Sequence, residues 1–150
     1  MQSKTISEEG LNFLMKEEGL CLRPYRCAAG IPTIGVGCTY YADGRKVTLK
    51  DPPITKEEAI QLLRKNLKDY ESKVSKSVRK ELKQCQFDAL VSFCFNVGTA
   101  AFAASTLLKI VNAQPEDPSI KRAFEAWKMA GGKPILLARR MREWRLYSGN

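Results

Sequence analysis

Glu18, Cys27 and Thr33 have the side-chain types and the spacing for acid–base chemistry. A carboxyl group can deliver a proton to a leaving oxygen. A thiol can activate water or attack directly, and a hydroxyl can hold a water as donor and acceptor. The chain has no histidine, which removes Ser-His-Asp, Cys-His and histidine–metal sites. Five cysteines without a CxxC spacing leave at least one thiol free and give no reason to expect a metal.

These residues need a helix end and a hairpin to bring them together. Ser7 is a candidate N-cap, followed by Glu8 and Glu9 where the helix dipole favours acids, with Ile6 placed to staple onto Leu11. The apolar stripe Leu11, Leu14, Met15 continues at Glu18, and Gly19 is a stop. A carboxyl at the end of such a stripe is expected to be partly desolvated, which raises its pKa as a general acid requires; a structural ion pair with an arginine is the alternative. From Tyr25 the pattern becomes strand, turn, strand. A turn over 28–31 is expected to set Cys27 roughly opposite Thr33, and Gly35 and Gly37 leave a bare face that a bulky ligand can approach. Residues 45–49 are expected to add a third short strand.

Beyond Asp51-Pro52-Pro53, Thr55 and Glu58 match a capping box, and Ile60, Leu63, Leu67, Tyr70, Val74 and Val78 predict a long helix over about 56–78. A helix is expected over 82–95, with a break at Asn96-Val97-Gly98. Ser105 is expected to cap a helix to about Asn112. Another should run from Pro118-Ser119 to the Gly131-Gly132 pair, and a last one should turn Leu137, Met141 and Trp144 inward with arginines around them. Asn96, beside Phe95 at the break, is a candidate to hydrogen-bond a ligand in a groove, although capping the helix is the commoner use. Arg139 has two options, Glu143 on its own helix or Glu18.

The 150 residues are expected to form one domain of mainly α, α+β class, with a small antiparallel sheet lobe (about 20–54), a connecting helix (about 56–78) and a helical lobe (1–19 and about 80–150). The formal charge of +9 points to an anionic partner. Nucleic acid is a competing partner, but no zinc-finger spacing, RNP-like strand or basic zipper supports it. The sequence carries no run long enough for a membrane span and no apolar N-terminal core for a signal, so a soluble chain is expected.

The whole chain also resembles the phage-type lysozymes, or endolysins, of the lambdoid and T-even kind (glycoside hydrolase family 24). The likeness lies in EEG at the end of the first helix, Cys27 nine positions after Glu18, Thr33 six further, GIPTIGVG at 30–37, QFDALVSFCFNVG at 86–98 and AFAASTLL at 101–108. Two departures stand out: Cys27, where many members have Asp, and Cys38, where most have His.

The resemblance implies an antiparallel β lobe joined by a long helix to a helical lobe, with a cleft between them. It implies hydrolysis of the bond between N-acetylmuramic acid and N-acetylglucosamine in peptidoglycan. Glu18 would be the general acid, Cys27 the water activator or nucleophile, and Thr33 the group that positions water. Asn96, Phe95, Gly35 and Gly37 are candidate substrate contacts and Arg139 a supporting residue, with no cofactor and no metal. It further implies a monomer that waits in the bacterial cytoplasm and depends on a holin to reach the periplasmic wall; an anchoring segment ahead of Met1 is the alternative. A neighbouring carboxylate is expected to raise the Cys27 pKa. The alternative reading of the whole is a non-catalytic basic protein that binds peptidoglycan or nucleic acid.

Overall fold

The computed structural model of the protein describes residues 4–149; the ends of the expected domain bounds, residues 1–3 and 150, lie outside them. Among the described residues the fold is mainly helical with one two-stranded antiparallel sheet, the expected class. The chain divides into two compact units, one from Leu11 to Lys68 and one comprising the described residues up to Gly10 and from Asp69 onward. The division falls inside helix α1 (Glu8–Glu18) and inside helix α2 (Lys56–Ser77).

In the Leu11–Lys68 unit, α1 ends where Gly19, at φ +85, donates its N–H to the Met15 carbonyl at 2.9 Å. Strand β1 (Cys21–Arg26) follows at once and pairs with β2 (Pro32–Gly35) in the register Tyr25↔Thr33 and Arg26↔Pro32. Thr33 thus stands directly across from Tyr25, and Cys27, roughly opposite Thr33 as expected, is its diagonal neighbour. The Cys27 N–H donates to the Ile31 carbonyl at 3.0 Å, and the Gly30 N–H closes the turn on the Cys27 carbonyl at 2.8 Å. The expected third strand is corrected. Residues 45–49 form no strand: they contribute a Tyr40↔Lys46 bridge, the Arg45 carbonyl accepts from Tyr41 N–H at 2.9 Å, and Val47 N–H donates to the Thr39 carbonyl at 3.0 Å. Asp51 gathers the Tyr41 hydroxyl at 2.7 Å and the Thr48 N–H and hydroxyl at 2.8 Å each, which bends the chain out of strand geometry.

Ile34, Cys38, Val47 and Leu62 form one core cluster of this unit, with Tyr41 and Ile54 packed against it. Helix α2 opens with the expected capping box: Glu58 N–H donates to the Thr55 hydroxyl and Thr55 N–H to the Glu58 carboxylate, each at 3.1 Å. Its 22 residues make a rod of about 33 Å. Leu63, Leu67, Val74 and, just past its end, Val78 are buried as expected, whereas Ala59 is buried in place of Ile60 at the start.

In the other unit, Ser7 caps α1 by accepting from Gly10 N–H at 3.1 Å, and buried Asp88 accepts from both the N–H and the hydroxyl of Ser7. Buried Glu71 takes the Ile6 N–H at 2.7 Å. Helix α3 (Gln84–Val97) starts two residues later than expected and ends at Gly98, whose φ of +98 only glycine adopts readily. The short α4 (Thr99–Ala104) was not expected; α5 (Thr106–Ala113) is, with Ser105 accepting from Leu108 N–H at 3.1 Å. Helix α6 (Ile120–Glu125) stops well before Gly131-Gly132, because that pair instead turns a small bridge between Ala130 and Lys133. Phe93 is the hub of the aromatic core, edge-on to Phe102, Phe124 and Trp127.

Helix α7 (Leu137–Ser148) reverses the expected orientation. Arg139, Arg140, Glu143 and Tyr147 are buried, while Leu137, Met141 and Trp144 are half-exposed. The charges tolerate burial because they compensate one another: Glu143 lies 3.3 Å from Arg139 Nε and 3.1 Å from Arg140 Nε, and accepts from the Ser92 hydroxyl at 2.6 Å.

Candidate active site

The residues with the chemistry expected of a site, Glu18, Cys27 and Thr33, all fall within the Leu11–Lys68 unit. Glu18 is the last residue of α1 and is half-buried, not sealed in the core. The glycine stop and the immediate start of β1 fix where that helix end delivers its carboxyl group.

Cross-strand geometry places the other two. Tyr25 pairs with Thr33, and the Cys27 N–H bonds the Ile31 carbonyl. Alternate residues of a pleated strand share a face. Tyr25, Cys27, Ile31 and Thr33 therefore lie on one face of the hairpin, and Cys27 and Thr33 are diagonal neighbours.

The environment of Cys27 corrects the expected raised thiol. Hydrogen bonds from the backbone of Ile31 and of Ala29 lead in lowering its pKa below the ordinary thiol value; desolvation opposes them, and the Thr33 hydroxyl adds a smaller lowering. The turn that closes the hairpin thus stabilises the thiolate. Thr33 is buried and donates its hydroxyl to the Ile31 carbonyl at 2.8 Å. Its single proton has two acceptors within reach, that carbonyl and the Cys27 thiolate, and the oxygen keeps lone pairs for accepting a bond.

Cys38, the second departure from the resembled pattern, is buried and receives the Asn66 side-chain amide at 3.1 Å. Burial pushes its thiol up, so it is a core residue that stays protonated. All five cysteines are free thiols, and no group of acidic or sulfur ligands among the described residues could hold a metal ion.

Gly35 and Gly37 both take positive φ, +68 and +70. Gly35 is buried against Ala59 and Ile54, so its bare face meets α2; Gly37 is exposed with open space where a side chain would point. The remaining expected contacts belong to the other unit. Asn96 is exposed near the end of α3, where its side-chain oxygen accepts from Arg140, and half-buried Phe95 packs edge-on against Tyr70 with centroids 5.0 Å apart. Arg139 bonds Glu143, the same-helix partner, and Ser92.

Sequence reasoning missed Tyr25 as a member of the Cys27 face. Its position two residues before Cys27 was the available signal. It also missed the buried Arg140–Glu143 pair, because an arginine run reads as surface.

A family profile described as Phage lysozyme matches residues 15–143. The endolysin of Salmonella phage P22 is 44% identical over 143 residues, covering 95% of this chain and 97% of the relative. A crystal structure of a P22 lysozyme variant superposes with a TM-score of 0.90 at 42% identity, over 97% of this chain and 99% of that one. The muramidase domain of SpmX from Asticaccaulis excentricus gives a TM-score of 0.78 at 32% identity, over 97% and 98% of the two chains.

Proposed function

The chain belongs to the phage lysozyme family, and from that premise we propose that it is a peptidoglycan-cleaving endolysin in which Glu18 and Cys27 are the acid and the base. The bond broken joins C1 of N-acetylmuramic acid to the oxygen of N-acetylglucosamine. Glu18 gives its proton to that oxygen as the bond breaks. A water on the opposite side of the sugar loses a proton to the Cys27 thiolate and its oxygen bonds to C1, so one proton enters and one leaves.

The observation that carries this assignment is the hydrogen bonding around Cys27. The reactive form keeps the proton on Glu18 and the charge on Cys27. Backbone bonds from Ile31 and Ala29 lower the thiol and increase that form's share. Thr33, while its proton rests on the Ile31 carbonyl, can only accept from the water. A water whose two hydrogens are taken by Cys27 and Thr33 is left with a lone pair for the sugar, which favours direct attack and inversion.

The stem-peptide carboxylates of peptidoglycan suit a chain of charge +9. No described helix is long and apolar enough to cross a membrane; on this reading the chain reaches the wall through a membrane lesion opened by a holin. The test is proton NMR of the first-formed anomer during digestion of purified peptidoglycan. Inversion is expected; net retention would replace the water route with a thioglycosyl intermediate on Cys27.

A further inference from the structure

The reading above leaves one polar side chain on the catalytic face without a task. Tyr25 lies directly across from Thr33 and two residues before Cys27. It is half-buried, and burial raises its pKa first, followed by the nearby Cys21, Cys27, Cys38 and Glu18. Its phenol therefore keeps its proton at neutral pH. Tyr41 donates to Asp51 and Tyr147 to the Pro115 carbonyl, each at 2.7 Å. Among the described residues the Tyr25 hydroxyl has no hydrogen-bond partner.

A tyrosine that is partly desolvated ordinarily finds a partner for its hydroxyl. Here the surrounding titratable groups are three thiols and the Glu18 carboxyl. We propose that Tyr25 is a substrate-contacting residue, whose hydroxyl donates a hydrogen bond to an acyl or hydroxyl oxygen of the aminosugar bound over the Cys27–Thr33 face. The chemistry required of the ligand is an uncharged oxygen acceptor, which N-acetylated sugars present on every unit. Tyr25 would thus help to orient the ring that Cys27 and Thr33 supply with water. This rests on the same site reading and adds a ligand contact to it.

The test pairs Tyr25→Phe, which keeps the ring and removes the hydroxyl, with Cys27→Ala. Loss of one neutral hydrogen bond corresponds to about three- to tenfold. Tyr25→Phe is therefore expected to lower kcat/KM on purified peptidoglycan by that factor, with an unchanged Tm and an unchanged rate of Cys27 alkylation. A purely structural role would move the Tm. In protein labelled at the tyrosine 13Cζ position, the resonance missing from Tyr25→Phe is expected to shift when N-acetylglucosaminyl-N-acetylmuramic acid is added. Full activity in Tyr25→Phe overturns the proposal, as does a Tyr25 resonance that the disaccharide leaves in place. Full activity in Cys27→Ala would instead overturn the acid–base assignment, while the disaccharide titration would still report on Tyr25.

Discussion

Thr33 donates its hydroxyl to the carbonyl of Ile31, two residues back along the chain, at 2.8 Å. The same Ile31 carbonyl receives the Cys27 N–H at 3.0 Å. One carbonyl thus anchors both the residue that would hold water and the residue that would take its proton. The local turn, with no distant loop involved, sets their geometry.

Thr33→Ser keeps the hydroxyl and is expected to retain activity within a few fold. Thr33→Val keeps the shape and removes the acceptor, and kcat is expected to fall by about 10²-fold, in the range for a lost group that orients a reactant. Release of reducing ends from purified peptidoglycan measures both. A Thr33→Val enzyme as active as the native protein would reduce Thr33 to a buried strand residue.

The lowered Cys27 thiol has a readout independent of catalysis. Thiolate fraction rises with pH, so the iodoacetamide reaction at Cys27 should reach half its maximal rate below the free-thiol value of about 8.5. Thr33→Val should move that midpoint upward, because one bond to the thiolate is gone. Peptide-level mass spectrometry separates Cys27 from buried Cys38 and Cys94, which should react slowly at every pH where the fold persists. A Cys27 midpoint at or above the free-thiol value contradicts the hydrogen-bonded thiolate.

Gly10 sits inside α1, where alanine would ordinarily gain about 1 kcal/mol in helix propensity. A methyl group there would meet Ile6 Cγ1 at 2.5 Å and the Asp88 carboxyl carbon at 2.8 Å. Asp88 is tied down by Ser7 and Gln84 and cannot swing aside without breaking the cap of α1. Overpacking of about 1–3 kcal/mol is therefore expected to win. Gly10→Ala should have a lower urea midpoint than the native protein, and a raised midpoint would show that the cap yields.

Glu143 is fully buried between Arg139 and Arg140. Glu143→Ala leaves two guanidinium groups without their shared counter-charge, at an expected cost of about 3–5 kcal/mol. Thermal unfolding should show a Tm lower by about ten degrees. Arg140 also bonds Asn96, so the loss should loosen the end of α3, seen as faster hydrogen exchange there.

The long helix α2, its capping box and the Ser7 and Ser105 caps were legible in the sequence because each depends on residues within a turn or two of one another. Glu18, Cys27 and Thr33 were singled out by their match to the pattern of the resembled family, and the structure places Cys27 and Thr33 on one face of the hairpin. The register was not legible: a hairpin turn one residue longer or shorter shifts the pairing by one, and residue types at 28–31 did not settle whether Thr33 faces Cys27 or Tyr25. Helix α7 misled for a different reason. Arginines read as surface unless the buried glutamate that compensates them is recognised, and Glu143, three and four residues away, looked like an ordinary surface pair. The shortfall of the third strand came from Asp51, whose hold on Tyr41 and Thr48 is a contact between side chains that alternation cannot reveal.

The central claim is that a Glu18–Cys27 pair breaks the glycan strand, and mass spectrometry of fragments released from purified peptidoglycan tests it most directly. The native protein should release disaccharide-peptides with reducing N-acetylmuramic acid ends, with Glu18→Gln and Cys27→Ala folded and releasing almost none. Fragments cut at peptide bonds, or undiminished release by either variant, would contradict it.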